Sequence, residues 1–342
     1  MHRVEKERAL SGRERFARLS RTYSLPLAIG LGTVIFFIFH YTPGLNPLKP
    51  TVHYLVDTFT PFLIFTMLFT SFCKVELRQM KPHLWQFYLI AFQLSVSLGL
   101  VLIVVCNPGT PYKTEIESAV ACIICPTAAA AAAIGGKLGG NESAMTTYTL
   151  MSNLAAAVGI PLIFSLLGSS VADSFLDSFF IIMRRVFPII VLPLILAFLV
   201  RYGFKKLHHF IITDLKDAAF YLWVITLVSV TGTAWSNIVN AREDALTMCA
   251  LVGIGFITCA VQFGLGKFMG HREGQRISAG QGLGQKNMVF GIWVVYSFLS
   301  PAAAIAPGCY MLWQNLVNGV QLAYKERFDR KRAARGLPPY RE

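Results

Sequence analysis

Two short stretches of this sequence carry polar chemistry inside long apolar runs. The first reads Ser278-Ala279-Gly280-Gln281-Gly282-Leu283-Gly284-Gln285-Lys286-Asn287-Met288. Three glycines at alternate positions make a poor helix. Gln281, Gln285, Lys286 and Asn287 place three amides and an amine within seven residues. Lys286 lies ten residues after Arg276, roughly 15 Å along a helix, which is the middle of a membrane. An ammonium at that depth costs several kcal/mol, so it must be paired, be neutral or face a water-filled cavity. Such a lysine can bind an anion or carry a proton.

The second stretch is Cys125-Pro126-Thr127, followed by Ala128 to Ala133 and Ile134-Gly135-Gly136. Pro126 removes a backbone hydrogen bond, and an alanine run lets another backbone approach closely. Helix breaks are therefore expected at Pro126 and at Gly280. The chemistry these breaks suit is binding, not bond-making. The chain has no H-E-x-x-H and no G-x-S-x-G. Its acidic residues avoid the centres of the apolar runs, Asp57 and Glu117 coming nearest, so a membrane-embedded enzyme would have only Lys286 for acid–base work. Cys122 and Cys125 form a C-x-x-C with no second pair or nearby His, and no metal site is expected.

The elements that must hold these stretches are membrane spans. Hydrophobic residues make up 54% of the 342 and charged residues 14%, against about 25% charge in soluble domains. That excludes a soluble enzyme and a disordered chain. Ten helices of spanning length are expected, at about 24–43, 53–73, 83–106, 114–137, 142–167, 185–203, 214–238, 245–269, 276–298 and 301–323. The net charge of +13 gathers in the tails 1–23 and 324–342, where it reads as a topology signal rather than a nucleic-acid arm. Lys74, Lys81, Lys137, Arg201, Lys205, Lys206, Arg272 and Arg276 then fall on the side of both tails, with fewer basic residues opposite, so both termini are expected in the cytoplasm. Residues 168–184 read as an amphipathic link at the outer interface between halves 24–167 and 185–323. The expected fold is an all-α polytopic membrane protein of ten spans in two inverted five-helix repeats. Its fourth and ninth helices are both interrupted, five spans apart, the usual pointer to a transporter's binding site. The charge asymmetry favours a bacterial inner membrane.

These residues resemble the bile acid:sodium symporter family. The family's fourth-helix signature, C-P-G-G-T-A-S-N and then G-N, meets Cys125-Pro126 and Gly140-Asn141 at the same spacing. Its ninth-helix signature, E-x-G-x-Q-N, meets Gly282 to Asn287, matching at Gly284 and Asn287. Gln93 resembles a family glutamine that helps to hold sodium. The resemblance covers roughly residues 20–325 and implies the ten-helix crossing fold and a transport role. The departures fall on the ion site: Ala131 and Ala132 replace the S-N pair, Gly282 the glutamate and Lys286 the glutamine. The expected function is secondary transport of a small organic anion by alternating access. Lys286 stands in place of a sodium site, which gives proton coupling or uniport, and no cofactor is expected. Substrate should meet Lys286, Asn287 and the helix ends near Thr127, with Gln281, Gln285, Gln93, Ala131, Ala132, Gly282 and Gly284 lining the site. The expected partners are the organic anion and the lipid bilayer, with no nucleic acid. The alternatives are a sodium-coupled symporter with a rebuilt site and a non-transporting receptor or scaffold. A polar stripe on the seventh span, Ser229, Thr231, Thr233, Ser236 and Asn237, is expected either to line a facing wall or to bond within the helices.

Overall fold

A computed structural model describes residues 24–75, 80–168, 174–215, 218–240 and 244–342. The basic tail 1–23 lies outside the described residues. The chain is an all-α polytopic membrane protein. Its helices are α1 (Ser24–Tyr41), α2 (Lys49–Phe72), α3 (Leu84–Cys106), α4 (Lys113–Ile124), α5 (Ala130–Leu138), α6 (Glu142–Leu166), α7 (Phe175–Gly203), α8 (Lys205–Thr213), α9 (Ala218–Asn240), α10 (Ala245–His271), α11 (Arg276–Gly284), α12 (Met288–Phe298) and α13 (Ile305–Ala333). Five helices among the described residues are long and apolar enough to cross a membrane alone: Pro43–Phe72, Leu84–Cys106, Glu142–Leu166, Phe175–Gly203 and Ala245–His271. They expose leucines, valines and phenylalanines such as Phe62, Leu102, Leu199 and Phe256, the surface that lipid covers.

The helices sort into two layers, joined where α6 packs on α7. In one, α9 packs on α1 and α2, and α2 on α7. In the other, α10 packs on α4, α11 and α13, α3 on α4, and α5 on α6 and α11. The second layer holds both interrupted helices, α4/α5 and α11/α12.

Three boundaries differ from expectation. The helix α7 begins at Phe175, so the second half of the expected link is already helical, an apolar Phe-Leu-Asp-Ser-Phe-Phe turn continuing into the span. Helix α13 runs to Ala333, ten residues into the expected tail, supported by Lys325–Asp329 and Arg330–Glu326 pairs one turn apart. Residues Lys205–Thr213 form a separate short helix where a loop was expected.

The connections meet on two faces. On one, Trp85 N–H donates to Glu273 Oε1 at 2.8 Å, Arg201 donates to the Val75 carbonyl, and His208 Nε2 lies 2.8 Å from the Cys73 carbonyl. Residues 139 and 342 join this face. On the other, Ser300 Oγ donates to Glu117 Oε2 at 2.7 Å and Ser118 Oγ to the Ala303 carbonyl at 3.0 Å.

Candidate functional site: two broken helices and a buried lysine

Helix α4 ends at Ile124 and α5 begins at Ala130; α11 ends at Gly284 and α12 begins at Met288. The intervening segments, Cys125 to Ala129 and Gln285 to Asn287, cross as a single antiparallel bridge between Thr127 and Lys286. Ala128 N–H donates to the Gln285 carbonyl and Asn287 N–H to the Pro126 carbonyl, both at 2.8 Å. Pro126 is thus in one break. Gly280, expected to break the other, lies inside the continuous helix α11. Its missing side chain serves packing: a Cβ there would stand 2.6 Å from Cγ of Lys267 on α10. The same holds for the next two glycines. A Cβ on Gly282 would meet the Tyr148 ring at 2.8 Å, and one on Gly284 would enter the Phe263 ring. Close packing has overridden glycine's poor helix propensity.

A break at mid-membrane frees backbone groups that lipid cannot satisfy, and side chains of the second layer supply partners for them. Gln93 Nε2 donates to the Ile124 carbonyl at 2.7 Å and to that of Cys125 at 3.2 Å. Ser152 Oγ accepts from Thr127 N–H at 3.1 Å, and Asn153 Nδ2 donates to the Thr127 carbonyl at 3.4 Å. Thr127 Oγ1 donates to the Gly282 carbonyl at 2.7 Å, and the Tyr310 hydroxyl to that of Gly284 at 2.8 Å. Gln314 pairs with the backbone of Lys286 in both directions: its Oε1 accepts from the N–H at 3.0 Å and its Nε2 donates to the carbonyl at 3.2 Å. Gln262 Nε2 reaches the Cys122 carbonyl at 3.1 Å and the Tyr310 hydroxyl at 3.2 Å.

Lys286 is fully buried. Its Nζ donates to Gln93 Oε1 at 2.9 Å and to the Ile123 carbonyl at 3.1 Å. Ile123 belongs to the last turn of α4, whose C-terminal end carries partial negative charge, so the amine sits where a cation is favoured. The N-terminal ends of α5 and α12 point into the same crossing with partial positive charge, a combination suited to an anion. Asn287 is half-buried at the α12 end and its Oδ1 caps Phe290 N–H at 3.2 Å. Beside it, Ala128, Ala129 and Ala132 are half-buried and Ala130 is exposed, so the most open part of the crossing is an alanine surface next to an amide.

The structure therefore brings Lys286, Asn287, Thr127, Gln93 and the backbone of Gln285 and Gly282 together. It does not bring Gln281, whose Nε2 reaches Asn318 and Gln321 of α13 at 3.1 and 3.3 Å. The Gln285 side chain also turns to Asn318. Ala131 is buried without a polar atom to offer. On α9, the hydroxyls of Ser229, Thr231 and Thr233 bond carbonyls of their own helix at 3.3, 2.7 and 3.2 Å; the Asn237 side chain lies outside the described ones. Sequence reasoning missed Gln262, Tyr310, Gln314, Ser152 and Asn153. Their signal was polarity inside apolar spans, with Gln314, Asn318 and Gln321 spaced along one face of a helix.

Sodium needs oxygen ligands, by extension of the hard-cation rule. Gln93 Oε1 and the Ile123 carbonyl already take the Lys286 amine and Gly282 offers no carboxylate, while Asn153 Oδ1 and Gln262 Oε1 are buried beside the first break with no hydrogen-bond partner among the described residues. No curated protein matches the chain. A sequence model of the Sodium Bile acid symporter family matches residues 61–241, more than half of the chain, with Gln93, Pro126 and the crossing's first break inside the match. The chain belongs to the Sodium Bile acid symporter family, whose members are transporters of the bile acid symporter type.

Proposed function

We propose that the protein is a secondary active transporter of a small organic anion, working by alternating access, in which Lys286 carries the coupling charge as an exchangeable proton. The observation that carries this reading is the position of Nζ, held between Gln93 Oε1 and the Ile123 carbonyl at the negative end of α4. A neutral amine has two hydrogens to donate and an ammonium three. The two acceptors match the neutral form, and the third proton of the ammonium is free for an anion entering beside Asn287. Substrate and proton then share one site, with the N-terminal ends of α5 and α12 supplying the remaining attraction for negative charge. Movement of the α1, α2, α7 and α9 layer against the layer that holds the crossing would expose the site to each side in turn. The two halves, 24–167 and 185–323, act in this reading as inverted repeats. The protein sits in a bacterial inner membrane with both tails in the cytoplasm.

The test is uptake into liposomes of radiolabelled cholate and a series of smaller carboxylates, driven by a pH gradient or by a sodium gradient. Uptake that follows the pH gradient, ignores sodium and loses its pH dependence in Lys286→Ala supports the reading. Wild-type pH dependence in Lys286→Ala would sink it. Uptake of equal rate at all gradients, lost in the variant, would mean that Lys286 is a fixed charge in a uniporter.

A further inference from the structure

Beyond α13, the chain turns back at Gly336 (φ +70°) and runs across the face that holds the ends of α5 and α11. Arg332 Nε donates to the Pro338 carbonyl at 2.8 Å, and Tyr340 N–H donates to Asp329 Oδ1 at 3.1 Å. The Tyr340 ring lies edge-on to Phe328, centroids 6.3 Å apart. These contacts aim residues 338–342 at both interrupted helices. Glu342 N–H donates to the Gly139 carbonyl at 2.8 Å, at the C-terminal end of α5. Its side-chain carboxylate accepts from Ile277 N–H, from Ser278 N–H at 3.1 Å and from Ser278 Oγ at 2.9 Å. Ser278 Oγ in turn accepts from Asn141 N–H at 2.7 Å. Gly139 sits at φ +96°, and any Cβ there would run into the Tyr340 carbonyl oxygen.

The carboxylate meets the unbonded N–H groups at the start of α11, where the helix dipole favours negative charge. The same five residues hold the end of α5. Helices α5 and α11 are the halves of the two broken helices that lead from the crossing to this face. We propose that residues 338–342 are an intramolecular brake: docked, the strap fixes the ends of α5 and α11 in one register, and it must lift before the crossing can rearrange. The brake does not depend on Lys286, on the coupling ion or on the substrate.

The test is hydrogen exchange by mass spectrometry on the full chain in lipid nanodiscs, for wild type, Glu342→Ala and a chain lacking residues 338–342. Two sets of amides are read: Ile277 and Ser278 beneath the strap, and Ala128 and Asn287, which bridge the breaks. Both variants should exchange about tenfold or more faster beneath the strap, the factor for a lost charge-assisted contact, and at least threefold faster at the crossing. Faster exchange beneath the strap with an unchanged crossing would make Glu342 a local helix cap and overturn the brake. No change at either set would mean that the strap is not docked. A general rise that includes the middle of α10 would make the strap part of the fold, and would overturn it equally.

Discussion

Replacing Lys286 by alanine should turn a sodium-indifferent protein into a sodium-responsive one. In the wild type, Nζ satisfies Gln93 Oε1 and the Ile123 carbonyl. In Lys286→Ala both oxygens lose their donor. A buried acceptor left unmade costs about 1–3 kcal/mol, so the pair costs about 2–6 kcal/mol. The emptied space then offers two oxygens at the negative end of α4, where a hard cation is favoured. Sodium at a hundred times its dissociation constant would restore about 2.7 kcal/mol, a large share of the loss. The assay is thermal unfolding followed by tryptophan fluorescence, in sodium, potassium and choline chlorides at matched ionic strength and over a pH series. The wild type should unfold at the same temperature in all three salts. The variant should unfold several degrees lower in potassium and choline, and recover in sodium. Specific stabilisation of the wild type by sodium would show that a cation site exists beside the lysine. A variant equally unstable in all three salts would show that the lysine does not stand where a cation binds. Either result refutes the reasoning.

Gln314→Leu should orphan the N–H of Lys286, whose carbonyl keeps the Met288 N–H at 3.0 Å, and lower stability by about 1–3 kcal/mol, read as the loss of unfolding temperature in detergent. Gly284→Ala should place a methyl group in the Phe263 ring and cost about 1–3 kcal/mol by overpacking; Phe263→Leu in the same chain should recover part of it, as a double-mutant cycle measures. The hydrogen bond from Lys325 holds the Asp329 carboxyl below its ordinary value of 3.8. Its contribution to the strap is therefore complete above that pH and lost as pH falls through the lowered value, so the protection of the Tyr340 amide, taken relative to an unprotected amide at the same pH, should fall only in acid, with no change between pH 5 and 8.

The break at Pro126 and the polar turn at Lys286 were legible because their causes are local, while their crossing came only with the family resemblance. Pro126 cannot continue a helix, and a polar run at mid-membrane must bend toward something polar. Gln93 was legible only through the family resemblance, since a lone glutamine in an apolar span does not say which carbonyl it meets. Gly280 misled because a helix-breaking propensity of about 1 kcal/mol per glycine is smaller than what close packing of Gly280 against Lys267, Gly282 against Tyr148 and Gly284 against Phe263 supplies. Gln281 and Gln285 were placed at the site by proximity along the chain, but their direction is set by Asn318 and Gln321, more than thirty residues away. The tail was read for its charge, and charge alone does not reveal that Asp329, Tyr340 and Glu342 fold it back onto α11.

The bridge between Thr127 and Lys286 also sets an order for biogenesis. Thr127 bonds a carbonyl 155 residues further along the chain. At about 5–20 residues per second, a ribosome takes roughly 10–30 s to make the partner of the first break. During that time the carbonyls and amides around Pro126 have no bridge to join, and bare lipid cannot receive them. The first broken helix must therefore wait in a wet or chaperoned place, such as the insertion machinery, until the second arrives. Mutations that weaken the bridge should lower the yield of inserted protein before they touch its activity.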